Sequence, residues 1–238
     1  LFDEMITLNV DRKETAFILV DPPFRLKADA TSTQAWSTNS NNATENGEDG
    51  LVSSTPYAGV YYPHGLTTNL DGSSVMVPAS HIALRTLAFN DQVAFPWFAP
   101  AGLTRGDLPS TLETSIQLKD ADLDSLYDED VNPIYAPSTV TNGGTNPKGG
   151  VVVWGQKTML QSASALDRIN VRRLLIDIRR QVRDIAQTII FEPNREATLA
   201  RFTAAVTPRL QRIQALAGLE RFRVIIDSST TTQADVEN

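Results

Sequence analysis

The feature that most constrains the fold is a long amphipathic pattern in the last third of the chain. Between Leu166 and Ile190, apolar residues recur every three or four positions, which places them on one face of a helix. These apolar positions are Leu166, Ile169, Leu174, Leu175, Ile178, Val182, Ile185, Ala186 and Ile189. The spacing predicts a long helix that packs one side against the rest of the protein.

Two rows of charged residues lie on the other sides of this helix. One row alternates in sign and can pair with itself along the helix: Arg173, Asp177, Arg180 and Asp184. The other row contains only arginines, and we call it the arginine row: Arg168, Arg172, Arg179 and Arg183. It is the candidate interaction surface, although arginines in such a row can also brace a fold internally.

The charge of the chain is divided unevenly along its length. Residues 1–156 carry 8 Lys and Arg against 19 Asp and Glu, a net charge of −11, and residues 157–223 carry 13 against 6, a net charge of +7. Residues 224–238 add −3, which gives −7 for all 238 residues. Such asymmetry favours contacts between surfaces of opposite sign, within one molecule or between copies, while two solvated faces remain an alternative.

The remaining sequence predicts short strands and helices joined by turns. The segment 31–55 is rich in Ser, Thr, Asn and Gly, so we expect a flexible surface loop there, which holds Trp36 and the glycosylation-like Asn42-Ala43-Thr44. Predicted strands are 16–20, 57–62, 75–77, 151–154 and 222–226, and predicted helices are 5–10, 81–90 capped by Ser80, 118–130, and one capped by Asn194 that restarts at Thr207-Pro208.

Several classes of chemistry find no support in the sequence. The chain has no cysteine and only two histidines, His64 and His81, neither of which lies in a catalytic motif. The acidic run 120–130 lacks the glycine of a calcium loop, and the glycine pairs at 143–144 and 149–150 lack the rest of a phosphate loop. We therefore predict no catalytic residues, no metal and no cofactor.

Two kinds of partner are also disfavoured. The longest apolar runs are a few residues, well short of the roughly 20 needed to cross a bilayer. An arginine-rich helix can bind a phosphate backbone, but the pI is about 4.9, and aspartates lie between the arginines. A nucleic-acid-binding module stays the alternative from a different class, and the prediction names neither nucleic acid nor membrane as a partner.

Several segments closely resemble bacteriophage contractile tail sheath proteins. The resemblance is most specific at the start of the predicted long helix, and flanking segments agree in order. The matching segments are Ser164-Ala165-Leu166-Asp167-Arg168-Ile169-Asn170-Val171-Arg172-Arg173-Leu174, Val153-Trp154-Gly155-Gln156-Lys157-Thr158, Ile190-Phe191-Glu192-Pro193-Asn194, Phe222 to Asp227, Val20-Asp21-Pro22-Pro23, Tyr57 to Pro63, Val77-Pro78-Ala79-Ser80, Ala88-Phe89-Asn90-Asp91, Pro100-Ala101-Gly102 and Asn132-Pro133-Ile134.

The resemblance implies a fold and a division of the chain. It implies an α+β class, an α/β sandwich of mixed β-sheet packed with long amphipathic helices. Residues 1–30 and 56–238 would form the sheath core region, with an acidic subdomain at about 1–156, a basic helical one at about 157–238, and the flexible loop 31–55 between. The chain would be the central portion of a sheath subunit, without the N-terminal region and the final strands.

The resemblance also implies a structural function and its partners. Sheath subunits form stacked six-fold rings around an inner tail tube and contract together to drive the tube through a host envelope. The expected partners are other sheath subunits, the tube protein, the baseplate and the tail terminator, in a virion tail assembled in the host cytoplasm. The arginine row would then contact acidic surfaces of neighbouring copies. The sheath of a related contractile injection system, pyocin-like or of type VI secretion, is the alternative.

Overall fold

The computed structural model describes residues 2–40, 50–51, 53–108, 110–137, 150–193 and 195–226. Two compact units divide between Arg173 and Leu174. The division falls inside a helix, 17 residues after the change of charge at residue 156, so the basic segment 157–173 belongs to the first unit. Within the described ranges, no helix combines the length and the apolar content needed to cross a membrane.

Seven α-helices and eight strands occupy these described residues. The helices are α1 Phe2–Asp11, α2 Ala30–Thr38, α3 Ala79–Val93, α4 Gly102–Arg105, α5 Asp120–Asp128, α6 Ile169–Gln187 and α7 Glu196–Ala215. The strands are β1 Ile18–Val20, β2 Ala58–Tyr62, β3 Gly65–Thr68, β4 Ser74–Val77, β5 Asp107–Leu108, β6 Thr111–Thr114, β7 Val131–Tyr135 and β8 Val151–Val153. A short 3-10 helix, Ala165–Asp167, precedes α6.

A five-stranded mixed sheet forms the centre of the first unit, in the order β1-β2-β7-β8-β5. The strands β1 and β7 run parallel to β2, with Val60 opposite both Val20 and Val131. The strand β8 runs antiparallel to both β7 and β5. This mixed sheet with its helices confirms the predicted α+β class.

Both faces of this sheet are covered, because side chains of a strand alternate between its two faces. Ala58, Val60 and Tyr62 of β2 belong to one apolar core with Trp36 of α2 and with residues of α5. The next residue in the alternation, Tyr61, belongs to a second core that also contains residues of α3 and Ile169 of α6. All five residues of β2 are therefore buried, which is typical of a strand covered on both faces.

A second sheet of three antiparallel strands has the order β4-β3-β6. Leu66 of β3 lies opposite Met76 of β4 and Glu113 of β6. The sequence predicted β4 but missed β3 and β6, which are short and rich in threonine and glycine. Their pairing depends on partners up to about 50 residues away along the chain, and no local pattern encodes it.

The helix α2 corrects the prediction of a flexible loop over 31–55. It covers Ala30–Thr38, and Trp36 is buried in the first core. Asp29 is its N-cap and accepts a hydrogen bond from the Ser32 backbone N–H at 2.7 Å. The burial of Trp36 and the N-cap hydrogen bond of Asp29 stabilise this helix despite the polar composition of the segment. The remainder of the loop at 41–49 and Val52, including Asn42-Ala43-Thr44, lies outside the described residues.

Three further predictions about local structure are wrong. The helix α7 continues through Pro208 without restarting, and 222–226 is irregular, not a strand. Asn132-Pro133-Ile134, which resembled a turn, lies in β7. Pro208 removes the N–H that would pair with the Ala204 carbonyl, and the Thr207 hydroxyl beside it donates to the Thr203 carbonyl, one turn earlier. The proposed cap Asn194 and the glycines 143, 144 and 149 lie outside the described residues.

The start of α3 shows why Ser80 is not its N-cap. Pro78 occupies the cap position, and the Ser80 backbone N–H donates to Asp21 Oδ1 at 2.6 Å. The Ser80 hydroxyl donates to the other oxygen of the same carboxylate. Asp21, 59 residues away in sequence, therefore supplies the acceptor that a local cap would have given.

Asn132 joins β7 to β2 and to the segment after β8. It is fully buried, and its amide nitrogen donates to the Val60 carbonyl at 2.9 Å and to the Lys157 carbonyl at 2.8 Å. Its Oδ1 accepts the Lys157 backbone N–H at 2.6 Å. One side chain thus bonds three backbone groups, one of β2 and two of the segment after β8.

Gly155 packs directly on Asn132, and we expect Gly155→Ala to lower the free energy of unfolding by about 1–3 kcal/mol. An added Cβ would lie 2.9 Å from both the Cα and the Oδ1 of Asn132 and 3.0 Å from Pro133 Cδ. Neither backbone nor proline ring can move aside cheaply. Urea denaturation of the variant measures the effect, and a midpoint equal to that of the wild type would contradict this packing.

Candidate interaction surface on the arginine helix

The arginine row begins where α6 enters the first unit. Arg168 stands just before the helix, and its guanidinium donates to the Tyr127 hydroxyl and forms an ion pair with Asp167 at 3.2 Å. Tyr127 lies on α5, and its ring also lies beneath the Lys157 ammonium, 4.6 Å from the ring centre. Arg168 therefore holds the start of α6 against α5.

Arg172 is buried, with 5% of its surface exposed. Its guanidinium lies 4.2 Å from the centre of the Tyr57 ring, a cation–π contact. The Tyr57 hydroxyl donates to Glu14 Oε2 at 2.7 Å. These three residues link α6, the segment before β2 and the segment after α1, so Arg172 has a structural role within the chain.

The other polar residues of the first turn are also engaged. Asn170 donates from its side-chain amide to the Trp97 carbonyl at 3.1 Å. Arg173 forms an ion pair with Asp91 near the end of α3, and Ile169 is fully buried in the second core. The Ile-Asn-Val-Arg-Arg segment is thus the part of α6 that anchors it in the first unit.

The second half of the arginine row has different surroundings. Arg179 and Arg183 belong to the second unit, and both are exposed. The structure therefore does not present the four predicted arginines as one surface: Arg168 and Arg172 hold the fold of the first unit, and Arg179 and Arg183 face solvent. Whether any of the four contacts a neighbouring copy stays a prediction.

The burial of neighbouring residues along α6 differs from turn to turn. Arg172 lies beside the face that contains Ile169 and Ile176, which are both buried, whereas Leu175, predicted to be inside, is exposed. Helical spacing predicts which residues share a face but not which turns of that face are covered.

Exposed carboxylates lie on α5 in the first unit. Asp120, Asp124 and Asp128 are all exposed and recur every four residues, so they share one face of the helix. Asp130, just beyond, pairs with Lys157 at 3.3 Å, and partial burial raises the pKa of its carboxyl although Lys157 opposes the shift. The sequence identified this acidic helix but held no signal for the contacts of Tyr57, Glu14 and Tyr127, whose partners lie 30 to 115 residues away.

The part of the chain that the structure describes offers no group of three or more His, Asp or Glu side chains arranged to hold a metal ion. His64 is buried and His81 is exposed. The described surface exposes charged groups, namely guanidinium groups on α6 and carboxylates on α5.

Comparison with known proteins adds the decisive observation. No family model matches the chain. The tail sheath protein of Enterobacteria phage T4 is 28% identical over 234 residues, which cover 95% of this chain and 34% of that protein. The tail sheath protein of Vibrio phage KVP40 is 37% identical over 142 residues, covering 60% of this chain and 20% of that protein. This chain is similar to phage tail sheath proteins.

Solved structures of contractile sheaths share its fold. The sheath complex of an extracellular contractile injection system in the contracted state matches with a TM-score of 0.69 and 23% identity, covering 93% of this chain and 56% of that one. The helical sheath of the anti-feeding prophage in the contracted state matches with a TM-score of 0.68 and 20% identity, covering 98% and 57%. At these identities the match concerns the fold alone.

The tail sheath relatives are much longer than this chain. The chain spans about a third of the T4 tail sheath protein and a fifth of that of KVP40. The segment of α6 that resembled tail sheath proteins is also the segment whose side chains anchor that helix, which gives the resemblance a physical basis.

Proposed function

We propose that this chain is part of a structural subunit of a contractile bacteriophage tail sheath. The observation that carries the proposal is the match to the T4 tail sheath protein over 95% of the chain, supported by the fold of two contracted sheaths. The identities to phage proteins exceed those to the injection systems, which favours a phage tail over the alternative.

In this role the full-length protein polymerises as stacked six-fold rings around an inner tail tube and contracts to drive the tube through the host envelope. Its partners are other sheath subunits, the tube protein, the baseplate and the tail terminator. The protein is assembled in the host cytoplasm and resides in the virion tail, where it serves as a structural component without catalysis. Contraction requires two packings of the same surfaces that differ in free energy.

The arginine row supplies the proposed contacts between copies. Of its four members, Arg168 and Arg172 are engaged within the chain, so the exposed Arg179 and Arg183 would lie against acidic surfaces of neighbouring subunits, for which exposed carboxylates such as those of α5 are suitable partners. Contacts between exposed charges are weak singly and sensitive to salt, so they can be exchanged during a rearrangement at modest cost. We direct the test to Arg179 and Arg183, because Arg172 is buried and its replacement would disturb the fold.

We expect the double reversal Arg179→Glu, Arg183→Glu to raise the protein concentration needed for polymerisation at least tenfold. Two reversals convert attraction to repulsion at each contact, which costs about 1.4 kcal/mol or more in total. Sedimentation and electron microscopy of the full-length protein measure assembly, and the melting temperature shows that the fold is intact.

The matched control for this experiment is Arg85→Glu, Arg209→Glu. Both residues are exposed on helices outside the arginine row, and the change in net charge is the same. If control and test variants assemble equally well, Arg179 and Arg183 make no contact between copies that assembly requires. If the wild-type protein forms no polymer, alone or with its tube, the sheath proposal itself fails.

A further inference from the structure

His64 occupies an enclosed position at the end of β2. It is buried, and its ring stacks on that of Phe24, with ring centres 4.1 Å apart. Phe24 is itself 61% exposed, so it lies as a cover between the imidazole and solvent. The Tyr62 ring meets His64 edge-on, with ring centres 6.5 Å apart. Protonation of this imidazole would place a positive charge in a buried site.

The hydrogen bond of His64 requires the neutral form of the ring. Its Nδ1 accepts the backbone N–H of Ala79, the first residue of α3, at 3.3 Å. A nitrogen that accepts a hydrogen bond cannot carry a proton, so the neutral ring has its proton on Nε2. The next N–H of α3, from Ser80, is accepted by Asp21. The first two N–H groups of the helix are thus satisfied by side chains from elsewhere in the chain.

Protonation of His64 would break its hydrogen bond with the Ala79 N–H. The protonated ring has no acceptor for the Ala79 N–H, and it places a positive charge beside the positive end of the α3 dipole. The Asp21 carboxylate acts on the ring, and the Tyr62 ring packs against it edge-on. Burial lowers the pKa of His64 below its ordinary value, and Asp21 only partly opposes this shift.

The other end of α3 holds the start of α6. Asp91 of α3 pairs with Arg173, and Asn90 donates to the carbonyls of Phe95 and Phe98 at 3.2 and 3.1 Å. The loop that Asn90 fixes provides the Trp97 carbonyl for Asn170. A loss of order that extends along the whole of α3 would reach the residues that anchor α6.

We propose that His64 is a proton-sensitive latch. In its neutral form it stabilises the first turn of α3. Its protonation releases that turn and weakens the contacts of Asn170 and Arg173 that anchor α6. Asp21 takes part as well, because the carboxylate that accepts from Ser80 also acts as a counter-charge for a protonated ring. A release would expose the imidazole and the face of the Phe24 ring that stacks on it.

The direction of the pH effect follows from the lowered pKa. Above the unfolded-state pKa, about 6.5, both states hold a neutral imidazole and the latch contributes fully. As the pH falls below that value, the open state binds the proton more readily than the closed state. Protection of the α3 amides should then fall by up to about tenfold per pH unit until the pKa of the closed state is reached.

Hydrogen exchange measured by mass spectrometry on the 238-residue chain at pH 7.5 and 5.5, corrected for intrinsic exchange rates, tests this proposal. We expect peptides that cover Ala79–Ala83 and 168–174 to lose protection at the lower pH. The variant His64→Asn keeps an acceptor near the Nδ1 position but cannot take up a proton, so its protection in these peptides should not change with pH. His81→Asn, at the exposed histidine of the same helix, is the matched control and should behave as the wild type does.

Three results would overturn the latch. The first is equal loss of protection in His64→Asn and the wild type. The second is loss in the wild type that is confined to regions outside α3 and 168–174. The third is a titration of the His64 ring by NMR, with His81→Asn used to assign its signal, that gives a pKa at or above the ordinary value for histidine.

Discussion

Replacing Arg172 with alanine should lower the free energy of unfolding by about 2–4 kcal/mol, whereas Arg179→Ala should change it by less than about 0.5 kcal/mol. Arg172 is buried on the Tyr57 ring, and the Tyr57 hydroxyl is held by Glu14. Its loss removes a desolvated cation–π contact and leaves the space of a long side chain unfilled. Arg179, seven residues further along the same helix, is exposed. Urea denaturation of the 238-residue chain measures both variants.

The variant Arg172→Met separates charge from packing. It keeps an unbranched side chain over the ring but no cation, so we expect a loss intermediate between those of the wild type and Arg172→Ala. Equal stability of Arg172→Ala and Arg179→Ala would show that the two arginines have the same role, and the division of the arginine row between fold and surface would then be wrong.

Asn132→Ala should cost about 3–5 kcal/mol, because it removes the partners of three buried backbone groups at once. These groups are the Val60 carbonyl and both the carbonyl and the N–H of Lys157. Each unsatisfied buried group costs about 1–3 kcal/mol, offset in part by local relaxation. The measurement is the urea midpoint and slope of the variant against those of the wild type.

The matched control is Asn69→Ala in the exposed turn between β3 and β4. There the side chain accepts only the N–H of the next residue, Leu70, at the surface, so we expect a loss below about 1 kcal/mol. If Asn132→Ala gives too little folded protein to measure, Asn132→Ser retains one polar group and should fall between the two. A loss for Asn132→Ala no larger than for Asn69→Ala would contradict the bridging role of this residue.

Local periodicity was sufficient to predict the elements with a long or strongly apolar pattern. The helix α6 and the strands β1, β2 and β8 lie within the ranges expected, because their apolar residues repeat at the period of the element that buries them. The acidic α5 was predicted for a different reason, because a run of carboxylates with leucines at helical spacing favours a helix.

Contacts between distant residues were beyond the reach of sequence patterns. The cap of α3 comes from Asp21, and the buried bridge of β7 comes from Asn132, which had resembled a turn residue. In both cases a polar side chain forms hydrogen bonds with backbone groups that are far away in sequence. The composition around that side chain does not predict these hydrogen bonds. For α2 a signal did exist, since Asp29 precedes Ser32 at the spacing of a capped helix start.

The arginine row shows the same limit at the candidate site. Spacing along α6 predicts that the arginines share one side of the helix, but Arg168 stands just before α6, and burial of Arg172 depends on Tyr57, which is 115 residues earlier in the chain. The resemblance to tail sheath proteins identified the Ile-Asn-Val-Arg-Arg segment without its physical role. The structure supplies that role: Ile169, Asn170, Arg172 and Arg173 hold α6 in the first unit.

A cryo-electron microscopy reconstruction of the full-length protein, assembled alone or on its inner tube, tests the central claim most directly. The sheath account predicts a hollow polymer of six-fold symmetry, with the fold of this chain in every subunit and carboxylates of a neighbouring copy within about 4 Å of Arg179 and Arg183. Discrete particles that never polymerise, with or without the tube, would contradict the account.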